Sequence, residues 1–138
     1  MILLDTNVLL ALVDERDSLH RVASADLGRA KQPAFYALDA VLTEAHFLLP
    51  HAPGRQRLRF LLENLRVRSL AMDETWWPDV FDWLEQYDEH EPDFADAQLV
   101  VLASRRRCRV WTYDREFRRI WRRIDGSRVP VYGTTRSA

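Results

Sequence analysis

Carboxylates follow two short apolar runs in this 138-residue chain. The run ILL at 2–4 ends on Asp5, and the run VWTY at 110–113 ends on Asp114. A short apolar run of this kind is typical of a buried strand, and a carboxylate directly after such a strand is costly to desolvate without a partner. Each aspartate could simply cap the helix that follows it. The alternative is that both lie at a site where acidic side chains do chemistry.

Three further acids belong to predicted helices. Glu44 lies at the edge of the apolar arc of a helix predicted over 39–49 and ended by Pro50, although a boundary glutamate paired with an arginine would look the same. Asp93 and Asp96 lie three apart at the start of a helix predicted over 94–106, where they share one face and the positive end of the helix dipole. Asp93 is the better candidate for the N-cap, which leaves Asp96 as a candidate site residue.

An alternation of strands and helices can bring these acids together. Strands are predicted at 2–4, 34–37, 67–71, 109–113 and 129–132, with helices between them. This order is typical of an α/β domain with a parallel sheet covered on both faces, and the length fits one domain over 1–138. Ligands of such sheets bind outside the carboxyl ends of the strands, where the strand order reverses. Asp5 and Asp114 both follow strands and are expected at that edge.

Four acids converging on one sheet edge would repel one another, and a divalent cation would offset that repulsion. Oxygen ligands of this kind suit Mg²⁺ or Mn²⁺. The sequence has no Cys/His set with zinc spacing, no Gly-rich phosphate loop and no serine nucleophile elbow. Carboxylates holding a metal ion are typical of enzymes that act on phosphate esters.

Four segments resemble, in order and spacing, the motifs of PIN-domain ribonucleases, and more narrowly those of VapC-type toxins of bacterial toxin–antitoxin pairs. They are LLDTNVLLALVD, TEAHFLL, DFADAQLVVLA and VWTYDREF. The resemblance covers nearly the whole chain. It implies an α/β sandwich around a parallel sheet of about five strands with helices on both faces. It also implies a metal-dependent endoribonuclease that leaves 5′-phosphate and 3′-hydroxyl ends, with RNA as substrate and with a cognate antitoxin and a second copy of the chain as partners.

The resemblance carries over to individual residues. It implies that Mg²⁺ or Mn²⁺ is held by four acids that are also the catalytic residues: Asp5, Glu44, Asp96 and Asp114. Asp93 is an extra acid near the third motif and an alternative ligand. Thr6 and Asn7 match the polar pair after the first acid, and Thr112 matches the hydroxyl residue before the fourth. Asp39 stands where a serine is common and is interpreted as a helix cap.

Charge is segregated along the chain although the net charge is only −1 at pH 7. Every residue between 73 and 96 that is charged at pH 7 is acidic. From 105 to Arg136, in contrast, arginine dominates. On a helix predicted over 114–124, an apolar face lies opposite an arginine face. The apolar face is Phe117, Ile120, Trp121 and Ile124, and the arginine face is Arg115, Arg118, Arg119 and Arg122. We expect Arg115, Arg118 and Arg122 to support RNA phosphates, although solvated helix faces would explain the segregation equally well.

The aromatic-rich helix predicted over 75–90 has two apolar stripes. Trp77, Phe81 and Leu84 are expected to face the core, and Trp76, Val80, Trp83 and Tyr87 form the second stripe. We expect Trp76 and Trp83 to lie at a homodimer or antitoxin interface, where aromatic side chains are common. One wide, fully buried face is the alternative.

Several classes of protein are excluded or left open by the composition. No apolar run is long enough to span a membrane, the first strand leaves no room for a signal peptide, and Cys108 is the only cysteine, so a cytoplasmic protein is expected. A PIN-like module that binds RNA or a partner without cleaving is one alternative. A phosphatase of the HAD type is another, but such enzymes need Asp-x-Asp after the first strand, and here Asn7 occupies the second position.

Overall fold

Five short strands form one sheet in the computed structural model, which describes residues 1–49 and 51–135. The strands are β1 Ile2–Leu4, β2 Phe35–Leu38, β3 Arg68–Leu70, β4 Arg109–Trp111 and β5 Val131–Tyr132. They lie in the order β3-β2-β1-β4-β5, and every pairing is parallel. The predicted α/β fold with a parallel sheet is confirmed. Pro50 and Arg136, which entered the sequence predictions, lie outside the described residues.

The first strand lies at the centre of the sheet. All three residues of β1 are buried, and Leu3 is paired with Tyr36 on one side and Val110 on the other. The chain passes outward from β1 to β3 and then returns to β4 on the other side of β1, so the strand order reverses between β1 and β4. The backbone N–H of Asp5 donates to the carbonyl of Trp111 at 3.0 Å. The end of β1 and the end of β4 are therefore joined at the switch point.

Seven α-helices cover the sheet within the described ranges. They are α1 Thr6–Val13, α2 His20–Arg29, α3 Asp39–Leu48, α4 Ala52–Asn64, α5 Trp77–Gln86, α6 Phe94–Arg105 and α7 Glu116–Arg119. Helix α1 packs on α2, α3 and α4, whereas α5 packs on α6. Right-handed crossovers place these groups on opposite faces, because the chain crosses the sheet in opposite directions before and after β3. None of the described helices is both long and apolar enough to cross a membrane.

Two predicted helix features are wrong. Asp39 is the first residue of α3 and not its cap, since Leu38 occupies the N-cap position without a side-chain hydrogen bond. Helix α7 ends at Arg119 instead of continuing to residue 124. The chain turns there because Arg122 and Arg128 form an antiparallel bridge, with Gly126 at a φ of 84° in the turn between them. Ile124 is consequently 53% exposed rather than buried.

The two aromatic stripes of α5 are the reverse of the prediction. Val80 and Trp83 are buried, whereas Trp77 is 50% and Phe81 54% exposed. Trp83 is held inside because its Nε1 donates to the carbonyl of Arg122 at 3.0 Å and its ring lies 5.1 Å from that of Trp121. Trp83 is therefore a core residue, and its predicted place at an interface is wrong.

Replacing Trp83 with alanine should lower the free energy of unfolding by about 3–5 kcal/mol, since the change leaves a cavity beside Trp121. Trp77→Ala, on the exposed side of the same helix, is the matched control and should cost about 1 kcal/mol or less. Urea denaturation measures both values. Equal losses in the two variants would contradict the assignment of Trp83 to the core.

Candidate functional site

Asp5 ends the central strand and is only 6% exposed. It is also the N-cap of α1, and its Oδ1 accepts a hydrogen bond from the backbone N–H of Thr6 at 2.8 Å. Its Oδ2 accepts from the hydroxyl of Thr112 at 2.7 Å, which reaches across from the end of β4. A buried carboxylate needs such donors. Asp5 therefore caps α1 and also belongs to the candidate site.

A cavity of about 280 Å³ lies beside Asp5 at the carboxyl edge of the sheet. The structure brings all five predicted acids to it, from the end of β1, helix α3, the start of α6 and the segment after β4. Its lining residues are Asp5, Thr6, Asn7, Leu10, Glu44, Leu48, Asp93, Asp96 and Asp114. Helix α3 contributes Glu44 because Val41 and Ala45 bury the adjoining face of that helix. The cavity lies at the switch point between β1 and β4, where ligands of open α/β sheets bind.

The polar residues predicted beside the acids connect the elements that carry them. The hydroxyl of Thr6 donates to Glu44 Oε2 at 3.3 Å and so links α1 to α3. Asn7 Nδ2 donates to the hydroxyl of Thr112 at 3.1 Å, and Asn7 Oδ1 accepts from the backbone N–H of Tyr113 at 3.1 Å. The hydroxyl of Thr112 also accepts from the backbone N–H of Asp114 at 3.1 Å. These bonds fix the end of β4 against the start of α1.

Asp93 and Asp96 form a reciprocal capping box at the start of α6. The backbone N–H of Asp96 donates to Asp93 Oδ1 at 2.7 Å, and the backbone N–H of Asp93 donates to Asp96 Oδ2 at 3.3 Å. The prediction that Asp93 is the N-cap is confirmed. Both residues also line the cavity. Capping the helix is therefore compatible with a further role of either carboxylate as a metal ligand.

The crowding of carboxylates raises the pKa values of two of them. Burial is the main reason that the pKa of Asp5 rises to about 6, with Asp114 and Asp93 adding repulsion and hydrogen bonds from Thr112 and Thr6 opposing it. Burial and the charges of Asp93, Asp5 and Asp114 raise the pKa of Asp96 to about 8. Without a cation Asp96 therefore retains a proton at neutral pH, whereas Asp5 takes one up only as the pH falls toward 6. A cation in the cavity would compete with those protons.

The donor set suits a hard divalent cation in its chemistry. In the parts of the chain that the structure describes, no three acidic, histidine or cysteine side chains are arranged to hold an ion as they stand. Instead, one carboxylate oxygen of each aspartate accepts a hydrogen bond from a neighbouring backbone N–H. Asp114 Oδ1, for example, accepts from the backbone N–H of Glu116 at 3.0 Å. A carboxylate has about four lone-pair sites, so one such bond leaves ligand capacity. The chemistry of these residues fits a metal ion, and their side chains would have to rotate to bind it.

A second cavity, of about 390 Å³, adjoins the first at Asp114. Five arginines line it: Arg115, Arg118, Arg119, Arg122 and Arg128. Arg118 Nη2 donates to the carbonyl of Gly133 at 2.7 Å, and Arg122 Nη1 donates to the carbonyl of Trp121 at 2.8 Å. These bonds hold the two guanidinium groups in place. The three arginines predicted to support a substrate thus line one cavity beside the acids, although no single long helix carries them.

The sequence reading missed a buried carboxylate that positions the site. Asp26 of α2 is 2% exposed and accepts from the hydroxyl of Tyr113 at 2.6 Å and from the backbone N–H of Thr134 at 2.8 Å. It is also paired with Arg29. Burial alone would raise the pKa of Asp26, but the hydrogen bonds from Thr134, Tyr113 and Arg29 outweigh it and lower the pKa.

Tyr113 connects this buried group to the site because it lies between Thr112 and Asp114 in the chain. Burial and the bond to Asp26 raise the pKa of Tyr113, so its hydroxyl stays a donor. A sequence signal did exist, since Asp26 falls among Val22, Ala23 and Leu27 on the apolar face of α2. An acid on that face needs partners, and the end of β4 provides one.

Comparisons with known proteins agree with this geometry. The PIN domain family profile matches residues 2–122. Among solved structures, the chain is similar to Mycobacterium tuberculosis VapC20, a sarcin–ricin loop cleaving toxin, at 27% sequence identity and a TM-score of 0.60. That match covers 71% of this chain and 77% of VapC20. A comparison with curated proteins finds no match.

Asp5→Asn should remove part of the pH dependence of stability. The pKa of Asp5 rises from 3.8 to about 6 on folding, so its contribution is fully present below pH 3.8 and is lost as the pH rises through 6. That loss amounts to about 3 kcal/mol. We expect the metal-free variant to be as stable as the wild type, or more stable, at pH 8, with a shallower decline from acid pH.

Urea denaturation in EDTA across this pH range provides the measurement. Asp82→Asn, an exposed acid on α5, is the control and should keep the wild-type decline. An Asp5→Asn variant that declines as steeply as the wild type would show that the carboxylate does not carry the pH dependence.

Proposed function

We propose, starting from the fact that this chain belongs to the PIN-domain family, that it is a metal-dependent endoribonuclease and the toxin of a toxin–antitoxin pair. The convergence of five acids on one cavity at the switch point carries the proposal. The adjoining arginine cavity supports a polyanionic substrate. The similarity to VapC20, a toxin that cleaves the sarcin–ricin loop, supports RNA as that substrate.

The residues that would hold Mg²⁺ or Mn²⁺ are Asp5, Glu44, Asp96 and Asp114, with Asp93 as an alternative ligand. When bound, the ion supplies a water of lowered pKa for in-line attack on phosphorus and offsets negative charge on the phosphate in the transition state. Hard carboxylate oxygens are the ligands these ions prefer. The four acids are proposed as the catalytic residues for the same reason.

The remaining polar residues orient the acids in this proposal. Thr112 holds the carboxylate of Asp5 through a 2.7 Å hydrogen bond, and Thr6 holds that of Glu44. Asn7 keeps the end of β4 in register with α1 through its bond to the backbone of Tyr113. Such partners fix the direction in which each ligand oxygen points.

The boundary between the two cavities is the proposed place of the scissile phosphate. Acids alone would repel a phosphodiester, whereas guanidinium groups attract it through charge-assisted hydrogen bonds. Asp114 lines both cavities. Arg115, Arg118 and Arg122 are proposed to bind phosphate oxygens there, so that the RNA backbone enters from the arginine side and meets the acids at Asp114.

The proposed partners follow from the likeness to VapC-type toxins: a cognate antitoxin and a second copy of the chain. The exposed rings of Trp77, Phe81 and Phe94 form apolar surface that such contacts would cover. We place the protein in the cytoplasm because its one cysteine, Cys108, is buried and forms no disulfide within the chain.

Cleavage of a folded RNA in Mg²⁺ or Mn²⁺ tests the proposed activity. We expect products with 5′-phosphate ends, no cleavage in EDTA, and a loss of about 10²–10³-fold in rate for Asp96→Asn. Asp82→Asn serves again as the control. Cleavage that persists in EDTA would overturn the mechanism, RNA binding without cleavage would identify a silent binding module, and turnover of a small phosphomonoester would identify a phosphatase.

Thr112→Val should lower the rate by about 10–100-fold without unfolding the protein, because it removes the hydroxyl that orients Asp5. Loss of that hydrogen bond also raises the pKa of Asp5 further, so the acidic limb of the pH–rate profile should shift to higher pH. Thr43→Val, an exposed position on α3, is the control. A reduced rate with an unmoved pH–rate profile would exclude this positioning role for Thr112.

A further inference from the structure

Arginines line a third cavity, at the opposite end of the sheet from the acids. It has a volume of about 510 Å³ and lies where α6 ends and where β1, β4 and β5 begin. Five arginines line it together with Met1, Ser104, Cys108 and Pro130: Arg105, Arg106, Arg107, Arg109 and Arg123. No acidic residue is among the lining residues. All charged side chains that line the cavity are therefore positive.

Two aromatic rings hold guanidinium groups of this arginine cluster. Arg105 and Arg106 lie 5.3 and 5.8 Å from the ring centre of Trp76, and Arg109 lies 4.9 Å from that of Tyr132. Stacking on a ring leaves the N–H edge of a guanidinium group free to bind an anion. The cluster is thus partly organised before any ligand arrives.

Little of this charge is neutralised inside the chain. Arg105 is paired with Asp79, and over residues 1–49 and 51–135 no other ion pair includes an arginine of the cluster. Arg106, Arg107 and Arg109 are exposed. Uncompensated charges so close together raise the local potential and attract polyanions.

The cluster is connected along the chain to the arginine-lined cavity beside the acids. Arg122 lines the cavity of about 390 Å³ beside the acids, and the next residue, Arg123, lines the cavity of the arginine cluster. Arg122 also forms an antiparallel bridge with Arg128, which lines the cavity beside the acids as well. Residues 109–114 run from one end of the sheet to the other, about 17 Å at the usual rise of a strand. Arginines thus line one cavity beside the acids and another at the amino end of the sheet.

We propose that the arginine cluster is a second phosphate-binding site, which binds RNA backbone outside the segment that is cleaved. The identification of the ligand as RNA rests on the proposed function. Guanidinium forks match phosphate oxygens. An RNA backbone carries phosphates along its whole length, so one molecule can contact the cluster and the arginines beside the acids at once. The substrate class is then a folded RNA that presents phosphates to both sites, not a short single strand.

The test compares two double variants that each remove two exposed arginines. Arg106→Gln with Arg107→Gln changes the cluster, and Arg55→Gln with Arg57→Gln on α4 is the matched control. Fluorescence anisotropy in EDTA measures the affinity for a stem–loop RNA and for a short single-stranded oligonucleotide as a function of salt. Each lost phosphate contact should reduce the slope of log affinity against log salt by about 0.7–0.9.

We expect the cluster variant to lose between one and two such contacts with the stem–loop and none with the short oligonucleotide, while the control keeps the wild-type slope for both. Arg106→Lys with Arg107→Lys should retain most of the slope, since it keeps the charge. An unchanged slope in the cluster variant, an equal loss in the control, equal losses for both RNAs, or no RNA binding by the wild type would each overturn the proposal. Equal or tighter binding of poly-glutamate would assign the cluster to an acidic protein and overturn it as well.

Cleavage is measured separately, in Mg²⁺, so that the two proposals fail in different ways. Absence of cleavage together with a reduced slope in the cluster variant would remove the proposed activity and leave the second site standing. Cleavage by the wild type together with an unchanged slope would remove the second site alone.

Discussion

The buried carboxylate of Asp5 is the constraint on which the rest of the structure depends. A central strand delivers it to a place where only 6% of the residue is exposed, and burial without donors would be prohibitive. Its donors come from α1 and from the end of β4, through Thr6 and Thr112. The bonds that make this burial tolerable also join the two strands at the switch point, and they bring Asp114 to the same cavity as Asp5.

The elements around the site could be predicted because their signals are local. An apolar strand that ends on an acid is visible within a few residues, as at Asp5. Asp26 could not be assigned a role in this way, because two of its partners lie 87 and 108 residues further along the chain. The two stripes of α5 were visible, but the edge-to-face contact of Trp83 with Trp121 decides which one is buried. The end of α7 was also invisible, since it depends on the pairing of Arg122 with Arg128.

Charge in this molecule is organised by position and not by amount. The chain carries a net charge of only −1, yet acids crowd the carboxyl edge of the sheet at Asp5 and arginines line cavities beside and opposite them. The polyanion of the proposed function would therefore be attracted by local fields, which act over about a Debye length. Those fields would favour an approach from the arginine side, because the acids that crowd the carboxyl edge repel a polyanion.

The position of β1 determines when this molecule can be completed. Of the five described strands, β1 is made before the others and lies at the centre of the sheet. Its partner β4 ends at Trp111, and Asp26 also needs a donor from Thr134. At about 5–20 residues per second, the ribosome needs several seconds to make the intervening chain. Throughout that time Asp5 lacks Thr112 and the acids are not assembled. A nascent chain that has not reached Thr112 and Asp114 therefore lacks both the donor that holds Asp5 and the last of the acids, so the proposed nuclease cannot form before that point.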